Sequence, residues 1–118
     1  MQRIIHATLN TLNGLRAVFG EAAFRQEVIA LVIAIPMAFV IGTDLRMQAT
    51  LIGVILLVMI VELLNTAIEK LADRITLDHD PAIGRVKDMG SAAVGLTLVL
   101  AGMVWLVALW ERLAAFWS

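Results

Sequence analysis

A run without a single charged side chain, Met89 to Trp110, most constrains what this chain can fold into. As a helix rising about 1.5 Å per residue it would span roughly 33 Å, enough to cross a hydrocarbon core of about 30 Å. Two shorter charge-free runs precede it, Val28 to Thr43 and Met47 to Val61, each giving roughly 23–24 Å of helix. Runs of that length suit either a buried helix or a span, and composition decides between them. Of 118 residues, 61% are hydrophobic and 16% charged, against roughly half and a quarter in soluble domains. Mean hydropathy is +0.92. Too few polar residues remain to coat a soluble surface, so all three runs are expected to cross a membrane. Pro36 in the first run is tolerated where neighbouring helices satisfy the carbonyl it frees. Disorder is excluded by the high hydrophobicity and low charge. A net charge of −1 leaves no electrostatic footprint for nucleic acid. Zero cysteines remove disulfides, thiolate nucleophiles and Cys-ligated zinc.

The N-terminal segment reads differently. Ile5, Leu9, Leu12, Leu15 and Phe19 recur at spacings of three and four and form one apolar face, with His6, Asn10 and Asn13 to one side. Such a helix lies in the headgroup plane or packs against the bundle. Arg16 falls within the apolar face, as a side chain snorkelling to a phosphate would. No apolar stretch there has the form of a cleavable signal peptide. The expected fold is an all-α membrane protein of one domain over residues 1–118, with a surface helix at about 1–20 and transmembrane helices at about 24–43, 47–73 and 86–112. Lys and Arg set the orientation: three precede the first span, one lies in the first loop, four in the second loop and one in the tail. The N-terminus and second loop are therefore expected in the cytoplasm. Trp105, Trp110 and Trp117 cluster at the far end of the third span, where an aromatic belt is expected.

Carboxylates then appear where a span should have none. Glu62 directly follows the apolar run, and Asn65, Thr66, Glu69 and Asp73 follow on the same face. At about 100° per residue all five fall within an arc of roughly 100°. An ionisable group in a span costs about 2.5–3.5 kcal/mol on insertion scales and marks a functional site by default. For Asp73 the expected role is an ion pair with an Arg of another helix or a side chain that snorkels to water, whereas Glu62 and Glu69, flanking Asn65, are expected to serve chemistry. Glu21, Arg25 and Glu27 open the first span at the same depth, with Glu21 and Arg25 spaced for a helix-surface ion pair. Carboxylates gathered at one interface repel unless a cation sits among them, and oxygen-only ligands suit Mg²⁺. Arg85, Lys87 and Asp88 open the third span, where a cationic group beside carboxylates suits phosphate; bias toward the cytoplasm alone would also explain Arg85 and Lys87. None of the eight glycines forms a nucleotide-binding loop of the familiar kinds. His6 and His79 stand far apart, and Ser91 with Gly95 is a spacing typical of helix packing.

Three segments match a known pattern in order and spacing: Glu21-Ala22-Ala23-Phe24-Arg25-Gln26-Glu27, Glu62-Leu63-Leu64-Asn65-Thr66-Ala67-Ile68-Glu69, and Val86-Lys87-Asp88-Met89-Gly90-Ser91-Ala92-Ala93-Val94. They resemble the signature segments of the bacterial integral-membrane diacylglycerol kinases over nearly the whole chain. The resemblance implies a homotrimer in the bacterial inner membrane that uses ATP and Mg²⁺ to phosphorylate diacylglycerol to phosphatidic acid. By position it implies Glu62 as general base, Glu21 and Glu69 as metal ligands, and Lys87 and Asp88 as part of the nucleotide site. Asn65 belongs to the same cluster, on the lipid side. Arg25, Glu27 and Ser91 would line the lipid access, Arg3 and Arg16 would lie near the headgroup, and Asp78, His79 and Asp80 by the adenosine. Relatives can place a Tyr against the nucleotide where this chain, which has no Tyr, carries Asn10. Two other functions fit the chain less well. An undecaprenol kinase of the same family is disfavoured by the Met89-Gly90-Ser91 stretch and the Glu21–Glu27 run. A small channel or transporter would place polar residues through the full bilayer depth, whereas the outer half of the second span carries no charge.

Overall fold

The computed structural model describes residues 1–117, which form four helices: α1 (Gln2–Val18), α2 (Ala22–Ile41), α3 (Leu45–Ile75) and α4 (Pro81–Trp117). In an apolar solvent every backbone polar group must find a partner inside its own segment, and helices achieve this. α2, α3 and α4 are each long and apolar enough to cross a membrane. They do not stop at the flanking charges used to place the spans. α4 begins at Pro81 and runs to Trp117, and α3 reaches Ile75, because caps rather than charges end a helix. Asp44 accepts a hydrogen bond from Met47 N at 2.8 Å and starts α3. Asp80 Oδ1 accepts from Ala82 N at 2.9 Å and Ile83 N at 3.2 Å, with Pro81 in the first turn of α4. The 31 residues of α3 and 37 of α4 give roughly 46 and 55 Å of helix, so both project beyond a hydrocarbon core of about 30 Å.

α3 is the central helix, packed on α4 along one side and on α2 along another. At the end near the α2–α3 turn, Ala38, Leu51 and Ala108 are almost wholly buried, with Ile41, Met47, Ile52, Val104 and Trp105 around them. Small residues at such contacts let helix backbones approach closely. The turn itself needs Gly42, where a β-carbon would lie 2.7 Å from Gln48 Cγ and 2.8 Å from Ala38 O. Trp105 is half-buried against the bundle. Its ring sits in this packed end and its Nε1 donates to Leu51 O at 3.2 Å, because an indole N–H withdrawn from water requires an acceptor. Trp110 and Trp117 are exposed.

α1 leaves its apolar face open: Ile5, Leu9 and Leu12 are each about half exposed and only Val18 is buried. It does not pack that face on the chain's own bundle. Phe19 and Phe24 fix its corner with α2 through an edge-to-face contact, 5.3 Å between centroids at 90°.

Candidate functional site

The polar stripe of α3 meets the starts of α2 and α4 at the end of the bundle opposite the Ala38–Leu51 cluster. Deepest is Glu62, half-buried, whose carboxylate lies against that of Glu27 on α2. Glu27 Oε2 is buried without a hydrogen-bond partner. Two carboxylates in contact call for a cation, a proton or a hydroxyl donor between them.

One turn further along α3, Asn65 is the buried polar side chain among the described residues. Its Nδ2 donates to Glu69 Oε1 at 3.2 Å, using one of that carboxylate's two oxygens. Its Oδ1 faces α4 at Gly90 and takes no hydrogen bond. Two ion pairs close the end of the site. Lys70 Nζ lies 2.7 Å from Glu21 Oε1, and Lys87 Nζ lies 2.6 Å from Asp73 Oδ1. Asp73 thus has a cross-helix ion pair, with Lys87 as partner in place of the expected Arg. Glu21 does not pair with Arg25 along its own helix. Glu21 is the N-cap residue of α2, outside its first helical turn, and its carboxylate turns to α3 instead.

The structure therefore gathers Glu21, Glu27, Glu62, Asn65, Glu69 and Lys87 at one end of the bundle. Arg25, Asp88 and Ser91 lie at the same end, on exposed surface. Arg3, Asn10 and Arg16 are exposed on α1 and form no hydrogen bond or ion pair with the cluster. In the α3–α4 loop, His79 is exposed, Asp78 N donates to Thr76 Oγ1 at 3.0 Å, and Asp80 has a structural task as the α4 cap. A cavity of about 600 Å³ between α1 and α3 is lined by Leu15, Val18, Leu63, Leu64 and Ala67, with Glu21 and Lys70 as its charged members. Sequence reasoning missed Lys70 and Gly90. Lys70 stood only as a positive loop charge, and no local pattern links it to Glu21 across two helices.

The donor chemistry fits a hard cation. Glu21 and Glu69 are oxygen donors, and Mg²⁺ is commonly held by one or two carboxylates, with substrate phosphates and water completing the shell. Among the described residues no three metal-ligating side chains of the single chain converge.

The comparisons with known proteins agree with one another. The family model described as prokaryotic diacylglycerol kinase matches residues 9–109. A diacylglycerol kinase of Escherichia coli strain K12 is 45% identical over 111 residues, covering 93% of this chain and 91% of the relative. One of Pseudomonas aeruginosa is 45% identical over 106 residues, 89% of this chain and 86% of the relative. One of Haemophilus influenzae is 40% identical over 106 residues, 89% and 90%.

Proposed function

Because the chain belongs to the prokaryotic diacylglycerol kinase family, we propose that this membrane-embedded lipid kinase transfers the γ-phosphoryl group of ATP to diacylglycerol. The oxygen of the lipid's free hydroxyl forms the new bond to phosphorus, the bond from phosphorus to the β,γ-bridging oxygen breaks, and ADP and phosphatidic acid leave. Glu62 accepts the hydroxyl proton. The observation that carries this role is the Glu27–Glu62 contact with its buried, unpartnered acceptor. A lipid hydroxyl arriving from the bilayer is a donor of the kind that such a pair lacks, and it brings the nucleophile within reach of a base.

Positioning and charge neutralisation are the protein's other tasks in phosphoryl transfer. Glu21 and Glu69 would hold Mg²⁺, which when bound supplies positive charge between the phosphates and these carboxylates. Asn65 orients Glu69 through its amide. Lys87, tethered to Asp73 at 2.6 Å, stands at the same end of α4 as Asp88 and offers its ammonium to the phosphates. Arg25, Glu27 and Ser91 line the way in for the lipid, with Arg3 and Arg16 on α1 at headgroup level. Asn10, Asp78, His79 and Asp80 lie toward the nucleoside.

The chain sits in the bacterial inner membrane with its N-terminus and second loop in the cytoplasm, where ATP is available, and works as a homotrimer. Exposed apolar side chains such as Leu96, at 71%, and Leu106, at 67%, support an environment of lipid and neighbouring subunits. ³¹P NMR of the purified protein with ATP, Mg²⁺ and diacylglycerol tests the reaction. One phosphatidic acid should appear for each γ-phosphate consumed; release of inorganic phosphate in its place would identify an ATPase.

A further inference from the structure

α4 carries four glycines, Gly84, Gly90, Gly95 and Gly102, and a β-carbon would meet an obstacle at one of them. At Gly84, Gly95 or Gly102 it would have open space. At Gly90 it would collide with Asn65 Oδ1 and press on Asn65 Cγ at 3.3 Å. Of these four positions, only Gly90 faces α3 closely enough to exclude a side chain, and the Ser91–Gly95 spacing marks no such contact within the chain. Asn65 is only 8% exposed, and its amide has one workable orientation. An ionised carboxylate accepts hydrogen bonds and donates none, so the Asn65 nitrogen must face Glu69 and its oxygen must face α4. Turning the amide over would set two acceptors against each other.

We infer that Gly90 is a positioning residue of the kinase site: its missing side chain gives Asn65 the room in which its amide holds Glu69. The inference rests on the role proposed above for Glu69 at the phosphate end. An alanine at 90 would suit the helix better than glycine does, yet it would take the volume that Asn65 Oδ1 occupies. The amide would turn aside and the hydrogen bond to Glu69 would be lost. Loss of a hydrogen bond to a charged group shifts an equilibrium by roughly 10- to 100-fold.

The test is a double-mutant cycle on the full chain in detergent micelles: Gly90→Ala, Asn65→Ala and the two combined. Two quantities are read, the affinity for Mn²⁺ by electron paramagnetic resonance and kcat with diacylglycerol. Each single variant should bind Mn²⁺ at least about tenfold more weakly and lose kcat. The double variant should match Asn65→Ala within about twofold, because without the amide an alanine at 90 displaces nothing. Losses that multiply would overturn the Gly90 inference alone, as would a Gly90→Ala protein that behaves like wild type. Asn65→Ala with unaltered Mn²⁺ affinity and kcat would overturn this inference, while the reading of Glu69 stands or falls on the Mg²⁺ dependence of Glu69→Ala. If Gly90→Ala does not fold, the double variant, which lacks the colliding amide, should fold and behave as Asn65→Ala. A double variant that also fails to fold shows that something other than Asn65 requires the glycine, which again overturns the inference.

Discussion

Replacing Glu62 by Gln exchanges one carboxylate oxygen for an amide nitrogen and leaves the side chain's shape almost unchanged. Its two consequences should run in opposite directions. Chemistry should suffer, because an amide cannot take up the hydroxyl proton; removing a positioned general base costs typically about 10²–10⁴-fold in rate. Folding should gain. In the wild-type protein Glu62 sets a second carboxylate against Glu27, whose Oε2 is buried without a partner. The amide introduced by Glu62→Gln supplies that oxygen with a donor and removes the like charge. A hydrogen bond to a charged acceptor is worth about 1.5–3 kcal/mol; since Glu27 is only half-buried, about 1 kcal/mol is the expected net gain. Turnover measured with saturating ATP and diacylglycerol gives the first quantity, and reversible unfolding in detergent gives the second. An inactive and more stable variant is the predicted result. A variant that loses activity and stability together would show that Glu62 supports the fold and that the loss is not one of proton transfer. Retention of more than roughly a tenth of the activity would rule out Glu62 as the base.

Glu21→Ala and Glu69→Ala should each raise the Mg²⁺ concentration needed for half-maximal activity, and the double variant should be little worse than either, since ligands of one ion act as a unit; additive losses in a Mg²⁺ titration would separate their roles. Lys70→Met frees Glu21 from the ammonium that holds it at 2.7 Å and should tighten Mn²⁺ binding by up to about fivefold, the range of an exposed ion pair. Weaker Mn²⁺ binding by that variant would mean that Lys70 holds Glu21 in its binding position. Asp80→Ala removes the acceptor for two backbone N–H groups at the start of α4 and should lower stability by about 1 kcal/mol, with Asp80→Asn restoring most of it; an alanine variant as stable as wild type would contradict the cap.

What the sequence disclosed and what it withheld divide along a physical line. The charge-free runs disclosed three spans because an apolar solvent forces such runs into helices, and the polar stripe of Glu62, Asn65, Glu69 and Asp73 followed from helix periodicity on α3 alone. Helix ends lie beyond the nearest charge where a cap sets them, as at Pro81. Partners across helices were out of reach. Glu27 with Glu62, Glu21 with Lys70, Asp73 with Lys87 and Asn65 with Gly90 each join two helices, and which faces of two helices meet is set by packing. Trp105 shows the same limit. Its position near a span end suggested an aromatic belt, while the Leu51 carbonyl that accepts its N–H lies on another helix. The roles of Glu62, Glu21 and Glu69 came through likeness to a family, because a carboxylate's task depends on what arrives beside it.

Phosphoryl transfer from ATP is proposed to run to diacylglycerol in a reaction that needs Mg²⁺. Its most direct test offers [γ-³²P]ATP to the purified protein in mixed micelles containing equal amounts of diacylglycerol and undecaprenol, with and without Mg²⁺. Label should appear in phosphatidic acid alone, and only when Mg²⁺ is present. Label in undecaprenyl phosphate, or equal labelling of phosphatidic acid in the presence of a chelator, would contradict the proposal.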